Sequence, residues 1–592
     1  MPKSGKRVDR VIETDVLIVG SEGAGSPAAL EAIQHGVKVT VVTKGSQIGR
    51  SGATVTGDAD LDVDSRSLHD RFALAGADTR DSKEIFFEDM LKGGKYLNNQ
   101  KLVEIHVEEA PDRLQDLLNW GVKIDGLIQA SGHSYPRGVV IPGTKLMPHL
   151  RRAVLSTDVE LVCYTMITDL LTTDGCVVGA VGINGATGEF LVFKAKAVIL
   201  CTGGAMRMYP YTTAPEELTG DGMVMAYRAG VELVNMEFPM FLPGAFPWPP
   251  AVMGVDIPFQ LSTGGYIAGW MLNKHGDRFM RHWDPVRYEW STRDILSVAM
   301  MTEILAGRGS PHGGVYVSLK HLPDDLIENL EKWVPPEFYM FYGGFKMKDY
   351  LPDLRKESVE SVPASHFFNG GVKINERCET NMPGLFAAGE VTGGVHGANR
   401  LSGNAFTEMV VWGHRSGRFA AEYAKRSGEV SIDADQVEKL RKRTFDPLER
   451  KGSLSQADLR KRLQQVAWEK AGVIRDGESL EKALSEFLRM REEELPEVGV
   501  RVKEPVFNRE WVQVIELENM LSIMEMVCRT SLNRKESRGA LYRRDYPDTD
   551  NINWLKNQVV SQKEGKMTIR IEPVVVTKIE PPKKILKYGR TE

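Results

Sequence analysis

The sequence predicts an α/β fold in which a nucleotide-binding domain is split by an inserted domain. An apolar run at residues 15–19 is followed by a glycine-rich turn and a helical pattern. A second strand-like run ends in glycines at residues 197–204, and the same strand-then-glycine pattern returns at residues 384–390. Between them, residues 233–350 are rich in Pro, Trp, Phe and Met and show no strand–helix alternation. The nucleotide-binding domain therefore starts near the N-terminus and resumes after the insertion.

The first strand–turn–helix–strand unit is complete within about 30 residues. Residues 15–19 (DVLIV) form a short continuous apolar run, which is typical of a buried parallel strand. Residues 20–25 form the turn, Pro27 fits a first-turn helix position, and Gly36 fits the helix stop. The second strand, residues 37–42, follows directly. This context is the one that a Rossmann-like dinucleotide-binding fingerprint requires.

The glycine turn departs from the usual fingerprint at one position. It reads GSEGAG at residues 20–25, so Glu22 stands where a second glycine is expected. A helix N-terminus behind such a turn offers N–H groups and a positive dipole end to a pyrophosphate. A carboxylate there repels phosphate unless it turns away, is protonated or meets a cation. We keep the nucleotide assignment because the strand end at residues 201–204 and the acidic residue Glu390 agree with it.

The patterns divide the chain into five predicted segments. Residues 10–232 hold the first part of the nucleotide-binding domain and residues 351–425 hold the second part. Residues 233–350 form the inserted α+β domain. Residues 426–545 are helical and rich in charge, and residues 546–592 form a C-terminal extension whose Pro- and Lys-containing end looks extended.

Composition and charge narrow the function classes. The 592 residues are 42% hydrophobic and 26% charged, which is ordinary for a globular protein with a large core. A net charge of −5 gives no reason to expect nucleic acid or an anionic membrane as a partner. No run approaches the ~20 apolar residues that a membrane span needs, and no apolar run follows the basic N-terminus. We expect a cytoplasmic protein, with any membrane association through a partner.

The cysteines argue against a resident metal. The chain has five, and no two stand in a CxxC pair. Iron–sulfur clusters usually need about four thiolates at close spacing, and structural zinc sites need a comparable ligand group. We expect no cluster and no metal on this chain, and the cysteines are interpreted as small buried apolar residues rather than redox-active thiols.

Several segments are similar to successive landmarks of one flavoprotein family: VLIVGSEGAGSPAALEA, KAVILCTGG, TGDGMVMAYRAG, MEF, PGLFAAGEVTGGVHGANRLSGNAFTE and ESRGALYRRDYP. The chain resembles the flavoprotein subunits of succinate dehydrogenase and fumarate reductase, a family that also includes L-aspartate oxidase and the adenylylsulfate reductase alpha subunit. The match runs from about residue 13 to about residue 556, and HGANRLSGNA is its most specific part. The resemblance implies FAD, a split FAD-binding domain, a mobile capping domain (residues 233–350) and a C-terminal helical domain.

Carried over residue by residue, the resemblance implies a set of cofactor contacts: Gly20, Gly23, Gly25, Thr43, Lys44, Ser51, Gly52, Thr202, Gly203, Asp221, Glu390, Ser402 and Asn404, with Arg400 near the flavin. The family's flavin-linking histidine would fall near Gly52, where the chain reads GRSGAT at residues 49–54. No histidine lies there. We therefore expect FAD to be held non-covalently, and the family suggests that such a flavin favours reduction of substrate.

The family's catalytic arrangement is retained in part. Reduction of a carboxylate-activated double bond needs groups that polarise the carboxylate, a hydride from the flavin and a proton donor. Arg293 matches the proton-delivering arginine of the family, and His366 and Arg400 match ligands of the substrate carboxylate. Because the pKa of arginine is above about 12, the proton must be relayed, and Asp294 and Glu289 are the nearby candidates. Packing of His366 and a structural ion pair of Arg293 are the alternative interpretations.

The other half of the dicarboxylate grip is missing. The family usually has His-Pro-Thr after the MEF landmark, but residues 241–244 read FLPG, and the family's Thr-Glu is absent from residues 259–265. Losing a charged hydrogen bond to a carboxylate costs about 1.5–3 kcal/mol. We expect a substrate with one carboxylate or thioester carbonyl and an apolar body, not fumarate itself. Phe241, Phe246 and Trp248 are candidate pocket walls, or else plain core.

Three further points stay open in the sequence. His133, in SGHSYPRG, either faces the flavin or serves turn chemistry. An iron–sulfur subunit is the expected electron partner, and the tail with Lys583, Lys584, Lys587 and Arg590 would suit wrapping it unless it is disordered. The alternative function is a non-catalytic FAD electron-transfer subunit of a larger redox complex. Adenylylsulfate reduction is a third hypothesis, which the HGANRLSGNA segment fits less well.

Overall fold

The computed structural model describes residues 10–57, 60–257, 269–329, 340–341, 345–346 and 350–589. Residues 259–265, where the family's Thr-Glu is absent, and Arg590 of the tail lie outside this range. The strands, numbered in chain order, are β1 (Arg10–Val19), β2 (Val39–Val42), β3 (Asp60–Asp62), β4 (Gly126–Ile128), β5 (Gly138–Val140), β6 (Glu160–Val162), β7 (Thr165–Thr173), β8 (Cys176–Asn184), β9 (Phe190–Leu200), β10 (Leu233–Val234), β11 (Pro239–Ala245), β12 (Trp270–Leu272), β13 (Val315–Ser318), β14 (Met340–Phe341), β15 (Phe345–Lys346), β16 (Val359–Phe368), β17 (Gly371–Lys373), β18 (Leu385–Ala387), β19 (Thr392–Gly393), β20 (Ile474–Arg475), β21 (Tyr542–Arg543), β22 (Asp548–Asp550), β23 (Lys556–Lys563), β24 (Lys566–Pro573) and β25 (Ile585–Lys587).

The α-helices are α1 (Gly25–Gln34), α2 (Ser65–Phe72), α3 (Lys83–Gly93), α4 (Gln100–Asn119), α5 (Gly143–Leu155), α6 (Asp221–Arg228), α7 (Met280–Trp283), α8 (Arg293–Leu305), α9 (Asp324–Glu328), α10 (Asn404–Arg426), α11 (Ala434–Glu449), α12 (Gln456–Ala471), α13 (Gly477–Arg489) and α14 (Arg509–Asn533).

The largest sheet carries the nucleotide-binding fold. Its strands follow the order β6-β2-β1-β9-β8-β7, with β18 also beside β9. β6, β2, β1, β9 and β18 run parallel, whereas β7 and β8 add antiparallel pairs. Residues 16–19 of β1 are buried, as expected for a parallel strand covered on both faces. The predicted strand–helix–strand unit is confirmed, with β1, α1 and β2 in sequence.

The split of this domain is also confirmed. β18 comes after the inserted segment in the sequence, yet it pairs with β9 in the register Leu385↔Val198 to Ala387↔Leu200. Helix α10, which follows β19, then packs against α1. Gly413 and Gly417 allow this close packing, because a Cβ at either position would clash with the backbone of Ala24 or Ala28. The second part of the domain thereby fixes the N-terminus of α1.

The inserted segment forms a small α+β layer together with β16, a strand that the sequence prediction places in the second part of the nucleotide-binding domain. β11, β16, β13 and β12 form an antiparallel four-stranded sheet in that order. Helix α8 packs on this sheet, and Ser297 Oγ donates to the carbonyl oxygen of Phe241 over 3.1 Å. The first residue of α8 is Arg293, so the sheet sets where that arginine points.

The remaining helices and the C-terminal strands complete the fold. Helices α11 to α14 form the helical region, as the charge-laced pattern predicted. β23 and β24 form a hairpin that joins β10, β17 and β19 in a five-stranded sheet. In the described residues, no helix combines the length and the apolar character that a membrane crossing requires.

The C-terminal tail lies on its own chain. β25 pairs with β22, and Lys587 forms an ion pair with Asp548 at 2.9 Å. The Tyr588 hydroxyl donates to the carbonyl oxygen of Gly539 over 2.7 Å. Upstream, the side-chain oxygen of Gln100 accepts backbone N–H groups from residues 577–579. The described part of the tail therefore packs against this chain and is not disordered, whereas its contact with a partner stays a prediction.

Candidate active site

A cavity of about 280 Å³ opens where the parallel strands end. Its lining includes the loops that follow β1, β9 and β18, namely residues 19–24, 201–203 and 388–390. The carboxyl ends of parallel strands are the usual ligand site of such sheets. The cavity continues from there to residues of the inserted segment, including Leu242, Asp256 and Arg293.

The three glycines of the turn after β1 stand where a side chain would not fit. Gly20 has φ +106°, and a Cβ there would clash with the Cys201 carbonyl. A Cβ on Gly23 would clash with Met409, and one on Gly25 with the carbonyl of Gly20. Gly20 and Gly23 line the cavity, whereas Gly25 lies below it and lets α1 approach β1 closely. The turn is thus a bare backbone cradle of the kind that a pyrophosphate needs.

The N-terminus of α1 points to this cradle without a side-chain cap. Its N-cap residue, Ala24, supplies no side-chain hydrogen bond, and the first turn holds no acidic residue. The N–H of Gly23 donates to Thr54 Oγ1 over 3.2 Å, which fixes the loop from the other side. A ten-residue helix with this end open favours an anionic group beside it.

Glu22 is turned onto a neighbouring loop. Both of its carboxylate oxygens accept the N–H of Gly49, at 3.0 and 3.2 Å, and the Ser51 hydroxyl donates at 3.3 Å. Burial raises the pKa of Glu22 to about 7, against the opposing effect of these hydrogen bonds. The carboxyl therefore points away from the glycine turn and is readily protonated. Both features reduce its repulsion of a phosphate bound at the turn.

A buried ion-pair cluster forms one wall. Lys44, just after β2, pairs with Asp221 and with Glu516 Oε1, the latter at 3.0 Å. Asp221 also accepts hydrogen bonds from the Thr219 hydroxyl at 3.0 Å and Asn519 Nδ2 at 2.7 Å. Burial alone would lower the pKa of Lys44, but the two carboxylates outweigh it and raise that pKa. This wall joins β2, α6 and α14 around the cavity.

Two polar groups face the cavity after β9 and β18. In the part of the chain that the structure describes, Thr202 Oγ1 is buried and has no hydrogen-bond partner. Glu390 accepts the N–H of Phe368 over 3.0 Å, and burial raises its pKa to about 7. An unsatisfied buried hydroxyl beside a bare glycine cradle fits a polar ligand such as a dinucleotide.

The three predicted catalytic residues converge at the other end of the cavity, where all of them line it. Arg293 Nη2 donates to Ser402 Oγ over 3.1 Å. Arg400 Nη1 donates to the carbonyl oxygen of Leu401 over 3.0 Å, and its guanidinium lies 4.7 Å from the ring centre of Phe367. The side chains come from α8, β16 and the segment before α10, so the inserted layer and the nucleotide-binding domain both contribute.

The electrostatics of this end favour an anionic ligand. Burial, and the charge of Arg293 beside it, lower the pKa of Arg400 to about 9. Burial also lowers the pKa of Arg293, although Asp60, Asp256 and Asp62 oppose it. His366 Nδ1 is hydrogen-bonded to the Thr213 hydroxyl over 2.8 Å. Burial and the two guanidiniums lower the pKa of His366 well below its usual value, so its imidazole is neutral.

The predicted relay groups lie elsewhere. The Glu289 carboxylate is held by Arg278 and by the N–H of Met271 at 3.1 Å. Asp294 lies 3.5 Å from Lys95 Nζ. Neither residue lines the cavity. The acidic side chains that do line it beside Arg293 are Asp60 and Asp256. Asp60 was missed in the sequence, although polar residues alternating within a short strand at 60–62 could have indicated it.

Most of the remaining predicted cofactor contacts line the cavity, and one does not. The cavity is lined by Thr43, Ser51, Gly52, Gly203 and Ser402, as well as by the predicted contacts described above. Asn404 does not line it; its side-chain oxygen is instead 3.3 Å from Nε2 of His106. The three aromatic residues offered as pocket walls or plain core do not line the cavity. Phe241 packs against Tyr209 in the core, Phe246 belongs to a separate cluster, and Trp248 is exposed and stacked on His312. The apolar walls are instead Ile128, Leu242, Phe367, Phe406 and Met409.

His133 lies behind the cavity and does not line it. Its Nε2 donates to the carbonyl oxygen of Ser402 over 3.0 Å, and Arg137 Nη1 lies 3.4 Å from Nδ1. Because a carbonyl can only accept, the proton sits on Nε2. Burial and the charge of Arg137 lower the pKa of His133 to about 4, so the ring is neutral. It supports Ser402 from below and is not placed to contact a ligand.

Comparison with known proteins identifies matches along the chain. Residues 15–406 match the family described as FAD binding domain, and residues 460–587 match the fumarate reductase flavoprotein C-terminal family. The fumarate reductase (CoM/CoB) of Methanothermobacter marburgensis has a subunit that is 37% identical over 93% of this chain and 97% of its own. The fumarate reductase flavoprotein subunit of Mycobacterium tuberculosis H37Rv is 32% identical over 97% and 99%.

Solved structures show the same fold. A variant of the E. coli quinol fumarate reductase FrdA aligns with a TM-score of 0.86 at 28% identity, over 97% of this chain and 99% of that one. Adenylylsulfate reductase from Archaeoglobus fulgidus aligns with a TM-score of 0.75 at 22% identity, over 96% and 97%. The latter likeness concerns the fold alone.

Proposed function

The chain belongs to the fumarate reductase and succinate dehydrogenase flavoprotein family, and from that membership we propose that it reduces a carbon–carbon double bond next to a single carboxylate or thioester carbonyl. As a member it binds FAD and is an FAD-dependent oxidoreductase. The observation that carries the proposal is the convergence of Arg293, His366 and Arg400 on one end of the cavity, which apolar Leu242 also lines.

The two arginines and the neutral histidine suit one carboxylate. Arg400 and His366 would bind and polarise it, because a charge-assisted hydrogen bond in a dry site is strong. Arg293 would hold the proton that is added to the substrate carbon, and burial has already lowered its pKa. When bound, FAD supplies the hydride chemistry of the family. Phe367 and Leu242 exclude water from this end of the cavity.

A dicarboxylate would be held poorly at its second carboxylate. Where the family pattern has His-Pro-Thr, this chain has Leu242, Pro243 and Gly244, and Leu242 lines the cavity. Leu242 is 2% exposed, so a carboxylate placed against it would lose water without gaining a donor. That desolvation favours a substrate with an apolar group at this position.

FAD is proposed to be held without a covalent link. The segment that carries the family's flavin-linking histidine reads GRSGAT at residues 49–54, and Ser51, Gly52, Ala53 and Thr54 line the cavity. None of these side chains forms a stable bond to a flavin ring. Retention would then depend on the glycine cradle, the wall formed by Lys44 and Asp221, and Thr202.

An iron–sulfur subunit is the proposed electron partner. The described part of the chain holds no group of His, Cys, Asp and Glu side chains that could bind a metal, and Cys201, Cys378 and Cys528 are buried free thiols. The M. marburgensis and M. tuberculosis relatives are named as subunits, which supports a partner. Electrons would then pass between FAD and a second chain.

Fumarate is the second candidate substrate, because the relatives at 37% and 32% identity are named fumarate reductases.

To distinguish the candidate substrates, the purified FAD-bound protein is reduced with dithionite under anaerobic conditions. Fumarate, crotonate and crotonyl-CoA are then added separately, and flavin absorbance is followed. We expect fast reoxidation by crotonate or its thioester and slow reoxidation by fumarate. Fast reoxidation by fumarate would reverse the substrate assignment. If none reacts while ferricenium does, the chain is an electron-transfer subunit.

A further inference from the structure

Two carboxyl groups lie side by side in the floor of the active-site cavity. Asp60 and Asp62 belong to β3, and residues two apart on a strand point to the same face. Their side chains are buried, with Asp60 6% and Asp62 1% exposed. Asp60 lines the cavity, whereas Asp62 lies deeper, against Gly403, where no Cβ would fit. Neither carboxyl has a role in the mechanism described so far.

Neither carboxyl is satisfied as an anion. Among the described residues, Asp60 Oδ2 and both carboxylate oxygens of Asp62 receive no hydrogen bond. His133 Nε2 lies 3.3 Å from Asp62 Oδ2, but its proton is directed to the carbonyl oxygen of Ser402. A buried carboxylate without donors is costly, and two adjacent ones cannot both ionise easily.

The charges around the pair come from three elements. Arg293 of α8 and Arg400, before α10, act on both carboxyls, and Arg137 of the segment before β5 acts on Asp62. The fourth titratable neighbour is neutral His133. Burial raises the pKa of Asp60, and burial together with the charge of Asp60 raises that of Asp62, against the guanidiniums. Such a pair titrates as a unit.

Arg293 would need a proton source beside the cavity. After it protonates the substrate carbon it is a neutral guanidine, and the acids first expected to recharge it, Glu289 and Asp294, lie away from the cavity. Asp60 lines the same cavity and interacts electrostatically with Arg293. Of the two carboxyls, Asp60 is therefore the one on the cavity side.

We infer that Asp60 and Asp62 share one proton and that Asp60 passes it to Arg293 after each substrate protonation. This inference rests on the proposed function. The O–H bond of the Asp60 carboxyl breaks and an N–H bond on Arg293 forms, so the arginine regains its charge. The pair becomes doubly ionised and regains one proton from water before the next turnover. The electron pair for the substrate is the hydride from reduced FAD, so the relay itself moves only a proton.

The first test needs no substrate. Infrared difference spectra of the FAD-bound protein at pH 7 and at higher pH report carboxylic acid C=O groups that lose their proton. We expect a band in the wild type that is missing from the double variant Asp60→Asn/Asp62→Asn and retained in Asp64→Asn. Asp64 is a matched control, because it is 2% exposed, follows the same strand and caps α2 without lining the cavity. A double variant that keeps the wild-type band overturns the shared proton, whether or not any enoate is reduced.

The second test uses crotonate-driven reoxidation of the reduced flavin. We expect Asp60→Asn to slow it by at least about tenfold and to leave oxidation by ferricenium within about twofold, because an electron acceptor needs no proton from Arg293. Asp62→Asn removes a neighbouring negative charge, so the alkaline limb of the pH–rate profile should move to lower pH. Asp64→Asn should match the wild type in both assays.

Equal slowing of the crotonate and ferricenium reactions in Asp60→Asn would show that Asp60 only shapes the site, and an unmoved alkaline limb in Asp62→Asn would show that the pair is not coupled. Either result overturns the relay. If wild-type flavin reacts with no enoate, the proposed function fails, and the infrared measurement still decides whether the pair holds a proton.

Discussion

Arg293 Nη2 donates to Ser402 Oγ over 3.1 Å, and this hydrogen bond joins the inserted segment to the second part of the FAD-binding domain. Arg293 begins α8, whereas Ser402 lies just before α10. The carbonyl oxygen of Ser402 also accepts from His133 over 3.0 Å, so the same residue is held from the first part of that domain. This end of the cavity, where we propose that catalysis takes place, is therefore assembled from three separate parts of the sequence.

Leu242 is predicted to determine which acids are reduced. Leu242→His would restore a donor where the second carboxylate of fumarate would lie, and a charged hydrogen bond contributes about 1.5–3 kcal/mol. We expect kcat/KM for fumarate to rise at least about tenfold relative to crotonate. Leu242→Met conserves volume without adding a donor and serves as the control. Equal changes for both acids in Leu242→His would mean that this position does not contact the substrate.

Lys44 is predicted to stabilise the FAD-binding wall. Replacing it with methionine leaves Asp221 and Glu516 close together and buried without their cation, and breaking a buried pair in this way costs about 3–5 kcal/mol. We expect Lys44→Met to lower the urea midpoint and to lose FAD during gel filtration. Lys44→Arg keeps the charge, so it should retain most of the wild-type stability and most of the bound FAD. An unchanged midpoint in Lys44→Met would show that the cluster contributes little to stability.

Glu22 is predicted to make the apoprotein less stable as pH rises. Its pKa in the folded protein is about 7, above its ordinary value, because the carboxyl is buried. The folded state therefore binds an extra proton between about pH 4.5 and 7, and the associated stability, up to about 3 kcal/mol, is lost as pH rises through 7. Urea unfolding should show that the free energy of unfolding falls less between pH 5 and pH 8 in Glu22→Gln than in the wild type.

Burial also raises the pKa of Glu390, so only part of the pH dependence of the unfolding free energy should vanish in Glu22→Gln. Glu390→Gln provides the matched comparison. A Glu22→Gln protein with the full wild-type pH dependence would contradict the assignment. Above pH 7 the ionised Glu22 should also repel the FAD phosphates, so FAD should dissociate more readily in the wild type than in Glu22→Gln.

The strands and the glycine turn could be predicted from the sequence because their signals are local. The run at residues 15–19 and the glycines after it need only neighbouring residues to be interpreted, and the structure places β1 and the cradle there. The polar alternation at residues 60–62 could have indicated Asp60 but not its interaction with Arg293, which depends on how the inserted segment packs on the sheet. The direction of Glu22 likewise depends on the N–H of Gly49, on another loop.

For the same reason, the sequence could not decide whether the aromatic residues line the cavity or belong to the core. Phe241 and Leu242 are neighbours on β11, and alternation sends one of them to the core and the other to the cavity. The sequence supplies the alternation but not the face, since both residues are apolar. Arg293, His366 and Arg400 could be placed together because the family resemblance carries long-range information that composition and periodicity lack.

The most direct test of the proposed enzyme is the anaerobic reaction of the reduced FAD-bound protein with crotonate, in the wild type and in Arg293→Gln. We expect rapid reoxidation in the wild type, a loss of at least about 100-fold in the variant and equal rates with ferricenium. Reoxidation of the variant by crotonate at the wild-type rate would contradict it, and so would a wild-type flavin that no enoate reoxidises.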